Sequence, residues 1–190
     1  MEWHLFYKRK ELKRMTRIII GLFLWGMFLT VGFAQDNYKL VWSDEFNQDG
    51  LLDSTVWNYE NGFARNEEWQ WYQSDNAYCK GGCLIIEARK EKRLNPIYQE
   101  DSKDWRSSGE FIECTSSSVT TAGKKEFLYG RFEIRARIPV GKGAWPAIWL
   151  LGNSMEWPSC GEIDIMEFYR KQGIPHILAN AAWGTDQRWV

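Results

Sequence analysis

From residue 36 onward the hydrophobic pattern of the chain has a period of two. Arg131-Phe-Glu-Ile-Arg-Ala-Arg-Ile138 alternates charged and apolar residues. Phe132, Ile134, Ala136 and Ile138 therefore fall on one face of a predicted strand. Leu84-Ile-Ile-Glu-Ala-Arg89 is a shorter run of the same kind. Turn signals recur between the runs, at Gln48-Asp-Gly50, Lys80-Gly-Gly82, Ala122-Gly-Lys124 and Val140-Gly-Lys-Gly143. No stretch beyond residue 36 carries a 3.6-residue period with caps, and the polar residues 95–109 read as a long surface loop. Many short strands without βα alternation predict an all-β sandwich or barrel, with no internal repeat and no linker.

The first 34 residues follow another rule. Ile18 to Ala34 is an uncharged apolar run behind a basic segment, with Gly32 and Ala34 at the −3 and −1 positions before Gln35. This is the pattern of a secretory signal peptide over 1–34, with its basic region at 1–17, its apolar region at 18–34 and cleavage between Ala34 and Gln35. Translation from Met15 would give a leader of more usual length. The competing reading is an uncleaved anchor, for which 17 apolar residues stand at the lower limit of a span. Cleavage predicts a secreted or periplasmic protein without stable membrane association.

Charge sharpens the picture. The chain has 24 Lys and Arg against 25 Asp and Glu. Residues 1–17 hold six of the basic and two of the acidic groups, so Gln35 onward carries 18 against 23, a charge of −5. No concentrated basic face remains for phosphate, which excludes nucleic acid as the main partner. Tryptophan is 12 of 190 residues, an excess that points to a Trp-lined cleft for flat apolar ligands. Secretion permits disulfides among Cys79, Cys83, Cys114 and Cys160 without requiring them. Cys160 reads as a buried structural thiol, because the chain has only two histidines to activate it.

Gly161-Glu-Ile-Asp-Ile-Met-Glu-Phe168 carries the chemistry. In a regular strand Glu162 and Asp164 share a face while Glu167 points away. One extra residue in a bulge at Ile165-Met166 brings Glu167 round to join them. Three carboxylates on one face repel each other, and no structural role explains that cost. At a strand rise of about 3.3 Å the two Glu Cα atoms sit roughly 12–13 Å apart, and inward-leaning carboxyls close to about 5–5.5 Å. Retaining glycosidases use that separation. A solvated acidic edge or a calcium site are the alternatives, but calcium prefers oxygens from a loop over those of an apolar-flanked strand.

Glu162-Ile-Asp-Ile-Met-Glu167 resembles the E-x-D-x-x-E signature of glycoside hydrolase family 16, in the bulged form of laminarinases, which are endo-β-1,3-glucanases. Val41-Trp-Ser-Asp-Glu-Phe46, Asn66-Glu-Glu-Trp-Gln-Trp-Tyr72, Leu84–Arg89, Tyr129-Gly-Arg-Phe-Glu133 and Trp145-Pro-Ala-Ile-Trp-Leu-Leu151 resemble that family in the same order. The resemblance covers residues 38–184. It implies a concanavalin-A-like jelly-roll β-sandwich with a glycan cleft across its concave sheet, and a monomeric, retaining endo-β-glucanase acting on β-1,3 or mixed β-1,3/1,4 glucan.

The resemblance also implies roles. Glu162 would attack the anomeric carbon, Glu167 would serve as general acid and then base, and Asp164 would keep their protonation states apart, with Glu162 charged and Glu167 protonated. Trp145 and Trp149 would share one strand face as the cleft floor, Trp157 would wall the site, and Asn66 would bind sugar hydroxyls or shape a turn. Trp69 and Trp71 share a face that looks at either core or cleft. No cofactor is required, and a structural calcium ion is expected near Glu45 and Gly50.

Departures from the family's pattern bear on the substrate. Thr115-Ser-Ser-Ser-Val119 lacks an arginine that many laminarinases carry there, Asn180-Ala-Ala-Trp183 stands where many place a histidine, and His176 reads as a surface residue. Agarases, carrageenases and porphyranases share the carboxylate signature, but a charge of −5 without an arginine cluster suits neutral glucan. The part from Gln35 to Val190 is shorter than a family catalytic domain and reads as an incomplete one. A transglycosylase, or a non-catalytic glycan-binding sandwich, would use the same scaffold.

Overall fold

A computed structural model of the protein describes residues 38–185 and 188–189. The expected signal peptide, residues 1–34, lies outside the described residues. The chain divides after Ser43, and every element below belongs to the part from Asp44 on.

Regular structure is almost all strand, as the period-two pattern predicts. The strands are β1 (Asn58–Tyr59), β2 (Gln70–Tyr72), β3 (Ala77–Cys79), β4 (Leu84–Ile86), β5 (Arg89–Leu94), β6 (Phe111–Ser116), β7 (Val119–Thr120), β8 (Ala147–Leu151), β9 (Glu162–Lys171), β10 (Ile174–Ala182), β11 (Gly184–Thr185) and β12 (Arg188–Trp189). One helical turn, α1 (Trp105–Ser108), and a 3-10 turn at Ser74–Asn76 interrupt them. β8, β9 and β10 form an antiparallel sheet with β9 at its centre. A second sheet has the order β2-β6-β5, with β2 parallel to β6.

Turn chemistry sets the local geometry. The β3–β4 hairpin closes over Gly81 and Gly82, at φ 58° and 72°. Two consecutive positive φ values make this the type I′ turn whose twist matches that of paired strands. Cys79 and Cys83 flank that turn, and all four cysteines are free thiols. Cys79 is instead buried with Leu52 and Ala77 in a small core, against which Phe46, Trp57, Tyr59, Leu84 and Val119 pack.

A buried polar chain ties the second sheet together. Asn76 is fully buried; its Nδ2 donates to the Glu87 carbonyl at 2.8 Å and to Thr115 Oγ1 at 3.1 Å. Thr115 in turn donates to Glu91 at 2.9 Å. A satisfied network of this kind avoids the penalty of burying polar groups unpaired. The polar segment 95–109 is a loop with internal order. Asn95, nearly buried, donates to the carbonyls of Arg106 and Gly109, and Asp104 caps α1.

Two expectations are corrected. Leu84–Arg89 is not one strand: β4 ends at Ile86 and β5 starts at Arg89, with Glu87 turned aside to bind Tyr78 and Arg89. Arg131–Ile138 forms no strand at all, and its residues are exposed except for the half-buried Ile138. Alternation supplies two faces, but a strand also needs a ladder, and no described segment pairs with this one. Phe132 packs edge-on against Phe127 instead, with ring centroids 5.6 Å apart.

One close approach positions the central sheet. Gly152, just after β8, donates its N–H to the Gly161 carbonyl at 3.1 Å, one residue before β9. A Cβ at Gly152 would overlap the Cys160 carbonyl oxygen, whereas one at Gly141 would meet nothing. Gly152→Ala is expected to destabilise the fold by about 1–3 kcal/mol, the usual cost of forcing atoms into a packed contact. Gly141→Ala, the control, should leave it within about 0.5 kcal/mol. Urea denaturation of both variants checks this, and equal midpoints would refute it.

Candidate active site

The three carboxylates lie on β9, and the strand register decides which way they point. On one side Leu151 pairs with Glu162 and Trp149 with Asp164, but Ile148 pairs with Met166 and Ala147 with Glu167. On the other side Ala182 pairs with Glu162, Asn180 with Asp164 and Leu178 with Glu167. Between Asp164 and Glu167, β9 advances three residues while β10 advances two. The bulge therefore sits at Ile165-Met166, where the carboxylate pattern predicts it. It turns Glu162, Asp164 and Glu167 to a common face, shared with Ala147, Trp149, Leu151, Leu178, Asn180 and Ala182.

Indole N–H groups meet the two glutamates. Trp157 Nε1 donates to Glu162 Oε2 at 2.8 Å, and Trp145 Nε1 donates to Glu167 Oε1 at 3.1 Å. Indole only donates, so it suits a carboxylate oxygen. Asp164 is buried at 5 % exposure, and both glutamates are half-buried. Burial pushes the Glu162 carboxyl above its ordinary pKa. The Trp157 hydrogen bond opposes that rise, while the hydrogen bond and charge of Asp164 and the charge of Glu167 add to it. The raised carboxyl is thus the one expected to stay charged.

The expected sugar-contact residues divide. Trp145 precedes β8 rather than sharing the strand with Trp149, yet its indole reaches Glu167 and stays 59 % exposed. Trp157 lies in the loop before β9 and is 46 % exposed as a residue. Trp149 differs, because the Arg65 guanidinium lies over its ring with Cζ 5.3 Å from the centroid. Asn66 is exposed at φ 56° in a left-handed turn, next to Arg65, and no hydrogen bond joins it to the carboxylates. Trp69 is exposed, while Trp71 packs edge-on against Phe63 at 5.3 Å.

Arg65 and Asn180 belong to this face; Asn180 opens the segment where many of the family place a histidine, whereas Arg65 does not stand out in the sequence as a site residue. Arg65 arrives from a loop distant along the chain, and local patterning carries no trace of such a contact. His176 is half-buried against the Tyr169 ring, rather than a surface residue. Half-buried Cys160 bonds the Gly161 carbonyl at 3.5 Å. Around Glu45 and Gly50 the neighbouring acids are committed: Asp44 accepts from the Phe46 N–H and Trp57 Nε1, and Asp49 from the Gly81 N–H. Among the described residues no three His, Cys, Asp or Glu side chains converge to hold a metal.

The family model for the XgeA-like catalytic domain of glycoside hydrolase family 16 matches residues 57–179, most of the chain and all of this face except Asn180 and Ala182. The chain belongs to glycoside hydrolase family 16. It is 40 % identical over 173 residues to the β-glucanase of Rhodothermus marinus, covering 84 % of this chain and 54 % of that protein. It is 43 % identical, at a TM-score of 0.63, to a structure from work on endo-acting O-glycanases with which prominent members of the human gut microbiota initiate mucin breakdown. That similarity covers 70 % of this chain and 49 % of the other. The laminarinase of Rhodothermus marinus is 34 % identical at a TM-score of 0.54, over 80 % of this chain and 70 % of that one. The fold is the family's jelly-roll sandwich, and this chain spans about half the length, or less, of the curated relatives it matches.

Glu162 sits under opposing influences, which gives a signed prediction. Asp164→Asn removes a charge and a hydrogen bond that both raise its pKa, so the ionisation midpoint of Glu162 should fall. Trp157→Phe removes the N–H that stabilises the carboxylate, so the midpoint should rise. Carbon-13 carboxyl NMR titration reads both, and shifts of the same sign would refute the arrangement.

Proposed function

We propose that this chain is the catalytic part of a secreted, monomeric endo-acting glycoside hydrolase that cleaves β-glucan, β-1,3 or mixed β-1,3/1,4, with retention at the anomeric carbon. The observation that carries the reading is the bulge that puts Glu162 and Glu167 on one face, each engaged by an indole N–H. Glu162 is the nucleophile. Its carboxylate attacks the anomeric carbon as the glycosidic C–O bond breaks, and Glu167 gives its proton to the departing oxygen. Glu167, now a base, takes a proton from water, and that water displaces Glu162 from the sugar.

The surroundings suit this division. The Trp145 N–H occupies Glu167 Oε1, which leaves the other oxygen to carry the proton. Trp157 steadies the Glu162 carboxylate against the burial and neighbouring charges that favour its protonation. Glu162 must be ionised to attack, and its pKa is raised, so the acidic limb of the pH profile should lie above the range of a free glutamate. Trp145, 59 % exposed, offers its indole to the C–H face of a glucose ring. The secretory pattern of residues 1–34 supports release from the cell.

A second reading rests on the 43 % identity to the structure from the O-glycanase work: the same carboxylates would cleave within mucin-type O-glycans. Turnover of laminarin, mixed-linkage glucan and mucin O-glycans by the full chain decides between them. A glucanase releases oligosaccharides from the first two alone. Glu162→Ala and Glu167→Ala should each lose about 10³-fold or more in kcat. Azide should then rescue both, giving a glycosyl azide of inverted configuration with Glu162→Ala and of retained configuration with Glu167→Ala. The opposite pairing would exchange the two roles, unimpaired variants would move catalysis to other residues, and binding without turnover by wild type would leave only a glycan-binding module.

A further inference from the structure

Arg65 holds an unusual position on the carboxylate face. Its Nη2 pairs with Glu60 Oε1, and Glu60 Oε2 accepts a hydrogen bond from Ser118. The guanidinium lies over two rings, 5.3 Å from the centroid of Trp149 and 6.0 Å from that of Tyr72. Trp149 is the register partner of Asp164, so this stack brings a cation to the face that carries the carboxylates. Tyr72 is itself fixed, with its hydroxyl donating to Glu68 and accepting from Gln70, both at 2.8 Å. Arg65 is therefore held on three sides by groups that are themselves held.

Two features of this arrangement speak to a ligand. A guanidinium has five N–H donors, and among the described residues Arg65 spends them on one acceptor, Glu60. Its side chain remains 30 % exposed, so Nε and Nη1 keep donors that water fills until something better arrives. The charge is also already balanced by Glu60, and the same face carries Glu162, Asp164 and Glu167. A sulfate or carboxylate would meet repulsion from Glu60 and Glu68, the acids that act on Arg65, and a cation already neutralised. A neutral hydroxyl meets only the donors. Trp149, meanwhile, gives a face to Arg65 and serves as its platform.

We propose that Arg65, carried on Trp149 and neutralised by Glu60, is a specificity-determining residue of the cleft that donates hydrogen bonds to hydroxyls of an uncharged sugar and disfavours anionic ones. The proposal rests on the glycosidase reading of the carboxylates and adds to it a residue that selects substrate. Arg65 is preorganised, so it fixes the sugar at little cost in side-chain ordering. Trp145 then supplies the stacking surface and Arg65 the directional contact.

The test uses the full chain, with Arg65→Met, Arg65→Lys and Glu60→Gln, on laminarin and laminarihexaose, and on κ-carrageenan oligosaccharide as the anionic probe. Arg65→Met should raise KM for the neutral substrates by about 10- to 100-fold, as expected for a lost charge-assisted hydrogen bond, with kcat within about threefold. Arg65→Lys should recover part of that loss. Glu60→Gln unmasks the cation, and the sulfated probe should then bind measurably where wild type does not bind it. A role in stability alone would lower the melting temperature of Arg65→Met and leave KM unchanged, and that result overturns the proposal, as does wild-type preference for the sulfated probe. If wild type turns over neither substrate, the glycosidase reading fails, and calorimetric titration of laminarihexaose still judges Arg65. Tight binding to wild type and weak binding to Arg65→Met supports the residue's role; absence of binding to wild type overturns it.

Discussion

Mutual repulsion among three carboxylates on one strand face is the constraint around which this structure is arranged. Strand alternation would place Glu167 on the opposite face from Glu162 and Asp164, and the bulge at Ile165-Met166 undoes that separation. Bringing like charges together costs free energy, and the neighbourhood offsets part of it. Two indole N–H groups address the glutamates from the segments before β8 and before β9. Burial first, and the neighbouring acids after it, leave the Glu162 carboxyl with a raised pKa. The bulge adds the charge of Glu167 to that effect and is the smallest of its causes.

That constraint explains features further off. β9 needs a neighbour on both sides to hold a bulge in register, and it has β8 and β10. The close passage of Gly152 against Cys160 brings the end of β8 to the start of β9 and so sets where Glu162 begins. Trp157 reaches Glu162 from five residues away because the intervening segment turns back on itself, with the Cys160 N–H bonded to the Glu156 carbonyl at 3.0 Å and the Gly161 N–H to Pro158 at 3.1 Å.

The sequence makes legible whatever depends on nearest neighbours. Period two announces an all-β chain, the Gly81-Gly82 pair announces a hairpin, and three acids spaced 162, 164 and 167 announce a bulge. What depends on distant partners stays hidden. Arg131–Ile138 has the pattern of a strand but no described partner, so it forms no strand and is exposed up to Ile138. Trp145 and Trp149 look equivalent in sequence as a spaced aromatic pair. In the fold one donates a hydrogen bond to Glu167 and the other carries Arg65, a residue from a loop more than 80 positions earlier. Asn66 lies in a motif that suggests sugar contact, yet its left-handed backbone marks a turn, and its neighbour Arg65 makes the contact with Trp149.

The central claim is that the bulge makes Glu162 the nucleophile of a double displacement. Trapping it covalently tests this most directly: the full chain is incubated with an activated 2-deoxy-2-fluoro-β-laminaribioside, digested, and its peptides are sequenced by mass spectrometry. A stoichiometric adduct on Glu162 and nowhere else is expected. An adduct on Asp164 or Glu167, or none on a folded chain that hydrolyses laminarin, would contradict it.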